Sequence, residues 1–147
     1  MPTFNPGQIL TAADLTGATG AWTSYTPTDS NITVGSGTRA AAYQMLTVKS
    51  CVFRWSFVLG AGSTFGANPS VGLPFAAASA RQVVAAVYGE VGVRYWAGVV
   101  EIASGGSVGL LTHTESTSAG IVSTTAPFTW NGADADWIAV TGIYEIA

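Results

Sequence analysis

One stretch limits the fold more than any other. Across residues 49–60, Cys51, Phe53, Trp55, Phe57 and Leu59 alternate with Val52, Arg54, Ser56 and Val58. A period of two places the first set on one face of a β-strand and the second set on the other. The first face is wholly apolar and aromatic and belongs in a core. The second carries Arg54 and Ser56 between two valines and is half-polar. A helix would need a period near 3.6, which this stretch lacks.

The same style runs through the chain from residue 21 onward. Strands are predicted over 21–26, 32–34, 38–46, 50–60, 70–73, 82–88, 93–102, 108–112, 121–122 and 137–146, with an edge-like piece at 126–130, where Pro127 cannot donate to a ladder. The connections are a turn cluster at 27–31, a hairpin-like link at Gly35-Ser36-Gly37, a loop over 60–66 with Phe65 at its tip, a turn at Gly89-Glu90, a turn at 104–107, a polar connection at 115–120 and a loop at 131–136. The small residues of 76–80 fit a loop, a tight interface or a helical turn. No long helical pattern occurs, which argues against parallel βαβ folds. The expected fold is all-β: an antiparallel β-sandwich, jelly-roll-like, over 21–147, with a short N-terminal arm over 1–20.

The arm differs in composition. Pro2 and Pro6 disfavour regular structure at its start, and Thr11-Ala12-Ala13-Asp14 has capping-box spacing, which predicts one helical turn over 12–15. Phe4, Ile9, Leu10 and Leu15 are its large apolar anchors after Met1, and Gly17 and Gly20 set it apart from the β-domain. A segment this short either gains order by docking on a partner surface, the arm reading, or is a mobile tail.

Composition narrows the function classes. The chain of 147 residues suits one domain, and it is 48% hydrophobic but only 9% charged, against a usual charged share of about 25%. Its polar surface is therefore built from Ser, Thr, Asn, Gln and Gly. The low charge fits either burial of much surface against other chains or a neutral polar surface; on the first reading a homotrimer is expected. The net charge is -3 and Lys49 is the only lysine, so there is no basic patch for nucleic acid. No apolar run reaches the roughly eighteen residues of a membrane helix, and the first residues do not read as a secretory signal. Cys51 stands alone on the core face of the best strand. It reads as a small buried hydrophobe in a protein made in a reducing cytoplasm, and no intrachain disulfide can form.

Residues that could carry chemistry are few. His113 is the only histidine. It has no Gly-x-Ser-x-Gly elbow or second His at metal-ligand spacing, and it reads as an exposed loop residue. Asp134 and Asp136 alternate in a Gly-containing loop, as calcium ligands can, but the distal Glu of an EF-hand is missing and a solvated turn is the simpler reading. Glu90, Glu101 and Glu145 are not brought together by any spacing. Trp22, Phe65 and Trp130 lie nearest turns and are the aromatics placed for ligand contact; the others fall at strand positions and read as core or subunit-interface packing. No catalytic residue, cofactor or metal ligand is assigned.

Several phrases resemble one family. Asn5-Pro6-Gly7-Gln8-Ile9-Leu10-Thr11-Ala12-Ala13-Asp14-Leu15 resembles the opening of small virion proteins from phages of actinobacteria. Trp22-Thr23-Ser24-Tyr25-Thr26-Pro27-Thr28, followed by Val34-Gly35-Ser36-Gly37-Thr38, is similar to the start of a β-domain in those phages' minor tail and capsid-associated proteins. Phe57-Val58-Leu59-Gly60, Ser63-Thr64-Phe65-Gly66, Val71-Gly72-Leu73-Pro74, Ala126-Pro127-Phe128-Thr129-Trp130 and Gly142-Ile143-Tyr144-Glu145 extend the resemblance over nearly the whole chain. It implies a non-enzymatic structural protein of the virion, made in the host cytoplasm. A stand-alone domain with an arm and no heptad or β-repeat shaft suits a capsid decoration protein that docks on the major capsid protein through Phe4, Ile9, Leu10 and Leu15. The alternative is a minor tail or tail-fibre protein that binds host surface glycan.

Overall fold

A computed structural model describes residues 20–114 and 119–147. Among them the regular elements are ten strands: β1 (Thr23–Ser24), β2 (Ser30–Thr33), β3 (Thr38–Thr47), β4 (Ser50–Val58), β5 (Thr64–Gly72), β6 (Gln82–Glu90), β7 (Arg94–Ile102), β8 (Val108–Thr114), β9 (Ala119–Ile121) and β10 (Trp137–Glu145). Every strand pairing is antiparallel. The order is β1-β3-β4-β10-β6-β7-β8-β5-β2, with β9 added on β8. The fold is thus all-β and antiparallel: one open sheet curled as a half-barrel around its core. The proposed arm, apart from Gly20, lies outside the described residues.

β4 organises the core as its alternation requires. Cys51, Phe53, Trp55 and Phe57 are buried, while Arg54, Ser56 and Val58 are exposed. It is paired along its length with β3 on one side and β10 on the other. The neighbouring strands supply matching inward rows, with Ile138, Val140 and Tyr144 from β10 and Val84, Ala86 and Tyr88 from β6. Burying each large side chain contributes about 1.5–3 kcal/mol. Aromatic rings carry the core onward from β4: Phe57 meets Phe65 at 6.1 Å, Phe65 meets Trp130 at 4.9 Å, and Trp130 meets Phe128 at 4.2 Å and Tyr88 at 6.0 Å.

Four local expectations are corrected. The Gly35-Ser36-Gly37 link is not a hairpin, because β2 pairs with β5 while β3 pairs with β4. It is a corner at which the strand pair β3–β4 passes into the pair β2–β5. Ser36 N–H donates to the Ala61 carbonyl at 3.0 Å, which stacks this corner on the next turn. The approach is close enough that a Cβ on Gly35 would lie 2.4 Å from the Ala61 oxygen, and Gly35 also has φ 58°. Phe65 is not at a loop tip. The turn ends earlier, where Gly60 N–H donates to Ser63 Oγ at 2.9 Å, and Phe65 enters the core from β5. Gly89 and Glu90 belong to β6; the turn follows them, closed by Val93 N–H to the Glu90 carbonyl at 3.0 Å. Residues 126–130 form a loop and not an edge piece, with a cis Ala126–Pro127 bond and one isolated bridge from Ser123 to Ala126. Phe128 is buried, and Trp130 Nε1 donates to the Ser123 carbonyl at 2.9 Å.

One polar group ties the curl together. Asp29 precedes β2, and its side chain is buried. Oδ1 accepts Gly72 N–H from β5 at 2.7 Å, and Oδ2 accepts Arg39 Nη1 from β3 at 2.7 Å and Trp55 Nε1 from β4 at 3.3 Å. Tyr25 adds a second link, donating its hydroxyl proton to the Gly72 carbonyl at 2.9 Å. Removing a carboxylate that satisfies a buried charge and two N–H donors leaves all three unmatched. Asp29→Ala is expected to lower stability by about 3 kcal/mol, read from urea denaturation with an unchanged m-value. A loss below about 1 kcal/mol would show the latch to be dispensable.

Candidate functional site

Because paired residues in a ladder project to the same side, the register assigns every residue of the sheet to the core or to the outside. Val58 pairs with Trp137, and Trp137 with Gly89, which faces Tyr95. The next outward row is Ala40, Ser56, Ala139, Val87 and Ala97, and the one after it is Ala42, Arg54, Thr141, Ala85 and Val99. From β3 to β7 the outer face is therefore built from valine, alanine, threonine, serine and aromatic residues. Several are well exposed: Tyr95 is 74% exposed, Val83 62% and Ile143 60%.

Among the described residues, charge on this face comes from two places. Arg54 lies over the ring of Trp22 at 4.5 Å. Glu101 and Glu145 sit together at one end of the sheet, where Glu101 pairs with Arg81. The middle holds a groove of about 460 Å³, lined among others by Ala40, Arg54, Ser56, Val87, Ala139 and Thr141, with Arg54 its one charged side chain. Tyr95 and Trp137 flank it at one end with ring centroids 5.6 Å apart. This face is the candidate site, and its chemistry is contact: apolar area with a few hydroxyls.

The residues singled out from the sequence fare differently. Of the three aromatics placed for ligand contact, Phe65 is buried and Trp130 is packed into the core; Trp22 alone lies outside, beside the groove. Tyr95 and Trp137, read as core or subunit-interface packing, form an aromatic pair on the outer side and not in the core. The parity of 93–102 gave the signal, but only the sheet order shows which side is outside. His113 is not an exposed loop residue. It lies on β8, 1% exposed, because the alternation of that strand points it inward. Its ladder partners are Gly98 and Gly120, and a Cβ on Gly120 would stand 2.7 Å from Nε2. Gly120 makes room for the ring, while Gly98 makes room for Tyr88.

Asp136 is a structural pin. Its Oδ1 accepts Val91 N–H at 3.0 Å and its Oδ2 accepts Asn131 N–H at 2.7 Å, which fastens the 131–136 loop to the turn after β6. Asp134 accepts from Asn131 Nδ2 at 2.5 Å. Among the described residues no three His, Cys, Asp or Glu side chains converge as metal ligands would. Glu90 and Glu101 stand at opposite ends of the β6–β7 ladder. The anchors Phe4, Ile9, Leu10 and Leu15 lie outside the described residues. Among the described residues no helix is long and apolar enough to cross a membrane. Comparison with family models, curated proteins and solved structures finds no match to this chain.

The buried acids have a consequence for pH. Burial pushes the Cys51 thiol up from its ordinary 9.0 to about 11. Burial likewise raises the Tyr25, Tyr88 and Tyr144 hydroxyls above the usual tyrosine range, Tyr25 also through Tyr144 and Asp29. In the unfolded chain the thiol loses its proton first, so its contribution to stability is complete below pH 9.0 and lost as the pH rises to about 11. Stability is expected to fall by about 2–3 kcal/mol across that window from Cys51 alone. Urea midpoints measured against pH would show it, and Cys51→Ala should lessen the slope at the start of that window, before Tyr25, Tyr88 and Tyr144 of the unfolded chain begin to ionise near their ordinary value of 10.0. An unchanged slope in the variant would contradict the assignment.

Proposed function

We propose that this chain is a non-enzymatic structural protein of a phage virion, most simply a capsid decoration protein docking on the major capsid protein. The observation that carries an assembly role is the broad neutral outer face from β3 to β7, with Tyr95, Val83 and Ile143 turned to solvent. Contiguous apolar area of this kind marks contact surfaces. The virion context is supported by the resemblance of the opening and of the Trp22–Thr38 phrases. On this reading the half-barrel is a jelly-roll-like sandwich. Its N-terminal arm, with Phe4, Ile9, Leu10 and Leu15, reaches the capsid protein, and copies of the domain associate with one another. Closure as a homotrimer, as expected from the sequence, is one way of hiding the face.

The test is the copy number of this chain on purified particles, by quantitative mass spectrometry against the major capsid protein. Decoration is expected to give a ratio within a small factor of one. A few copies per particle would favour the tail alternative, in which Trp22 and Tyr95 would offer rings for a glycan. Absence from the particle would overturn the virion reading.

A further inference from the structure

We propose that the outer face of β3, β4, β10, β6 and β7 is covered by the same face of a second copy of this chain, related by a two-fold axis. The inference rests on the reading of the chain as a self-assembling structural protein and names the surface and its occupant. Three observations support it.

The first is area. Five neighbouring strands of nine or ten residues form this face. At about 4.8 Å between strands and about 3.3 Å per residue they present roughly 700 Å². Two such faces bury roughly 1,400 Å² in all, within the range of a stable pair at about 1,200–2,000 Å². Dividing the face between two neighbours, as a three-fold ring does, would leave each contact about half of that, below the size of most specific interfaces. Face-to-face stacking of sheets is also a pairwise arrangement, two layers about 10 Å apart.

The second is shape. A two-fold contact needs a surface that is complementary to itself. Here the face has a groove with a floor of small residues, Ala40, Ser56 and Ala139, on the β3–β10 side. The larger Val83, Val99 and Tyr95 stand on the β6–β7 side. A two-fold rotation sets the larger row of each copy against the groove of the other.

The third is charge. Glu101 and Glu145 lie at one end, clear of the centre, and the central Arg54 is stacked on its own Trp22. A nucleic acid would need a basic face and a membrane surface a basic rim, and this face offers neither. Apart from Arg54, whose guanidinium is stacked on Trp22, the centre carries no charge, which limits repulsion between two identical faces.

The experiment is sedimentation equilibrium of the full chain at micromolar concentration, with substitutions in the middle of the face. The wild type is expected at twice the chain mass of 15.0 kDa. Val87→Glu sets a carboxylate at the centre of both copies and is expected to weaken the pair at least about 100-fold, the effect of roughly 3 kcal/mol, with an unchanged circular dichroism spectrum. Tyr95→Asp, at a position 74% exposed, changes the same face at the loss of the Trp137 ring contact alone and should act in the same direction. Thr124→Glu, on an exposed loop away from the face, should leave the pair intact. A monomeric wild type would remove the self-assembly premise along with the proposal. A wild-type trimer would overturn the two-fold packing. A pair that survives both Val87→Glu and Tyr95→Asp would overturn the choice of face while leaving self-assembly standing.

Discussion

The carboxylate of Asp29 gathers one donor each from the neighbouring strands β3 and β4 and from β5, which lies near the opposite end of the sheet order. An open sheet has two free ends, and the twist of its strands alone does not decide how far it curls. A buried anion that must satisfy its oxygens decides it. Arg39 and Trp55 lie toward the β3 end of the sheet and Gly72 toward the β2 end, so the curl has to bring those ends together around Asp29. Gly72 completes the device by its size: a Cβ there would lie 2.4 Å from Thr28 N, so the chain before Asp29 can pass directly against β5. The aromatic core from Phe57 to Trp130 then fills a space whose width this latch has set.

Given that closure, the two sides of the sheet have different tasks. The inner side holds the large residues and a few polar groups that are matched locally. The Tyr144 hydroxyl donates to the Phe75 carbonyl at 2.9 Å and accepts Phe75 N–H at 3.1 Å, and the Tyr88 hydroxyl donates to the Thr112 carbonyl at 2.5 Å. The outer side has too few charges to behave as an ordinary solvated face. A chain with 9% charged residues keeps part of its apolar content on the surface once the core is full. The register gathers that content on neighbouring strands, where it forms one continuous apolar area and not scattered exposed valines.

Alternation made the strands legible in the sequence, and burial follows it closely in β4, where each of Cys51, Phe53, Trp55 and Phe57 is buried as expected. What alternation cannot convey is pairing. Gly35-Ser36-Gly37 looks like a hairpin because local turn chemistry is the same whether the flanking strands pair with each other or with others. His113 looked exposed because its neighbours are hydroxyl residues, yet Thr112 and His113 are both buried once β7 and β9 flank them. Asp29 sat in a run of turn-forming residues, and nothing near it in sequence announces Arg39, Trp55 and Gly72 as partners. The candidate face was half legible: the apolar character of both sides of 93–102 was visible, but its union with β10 and β4 depends on long-range order.

The central claim is that the inner face makes the fold and the outer face makes the contact. Hydroxyl-radical footprinting of the protein, concentrated and then diluted, tests it at single residues. Tyr95, 74% exposed in the isolated chain, should be shielded in the concentrated sample and oxidised on dilution, with Trp22 following it. Val48, 69% exposed at the end of β3 and away from the groove, should be oxidised equally in both. Equal oxidation of Tyr95 at every concentration, or shielding of Val48 in its place, would contradict the claim.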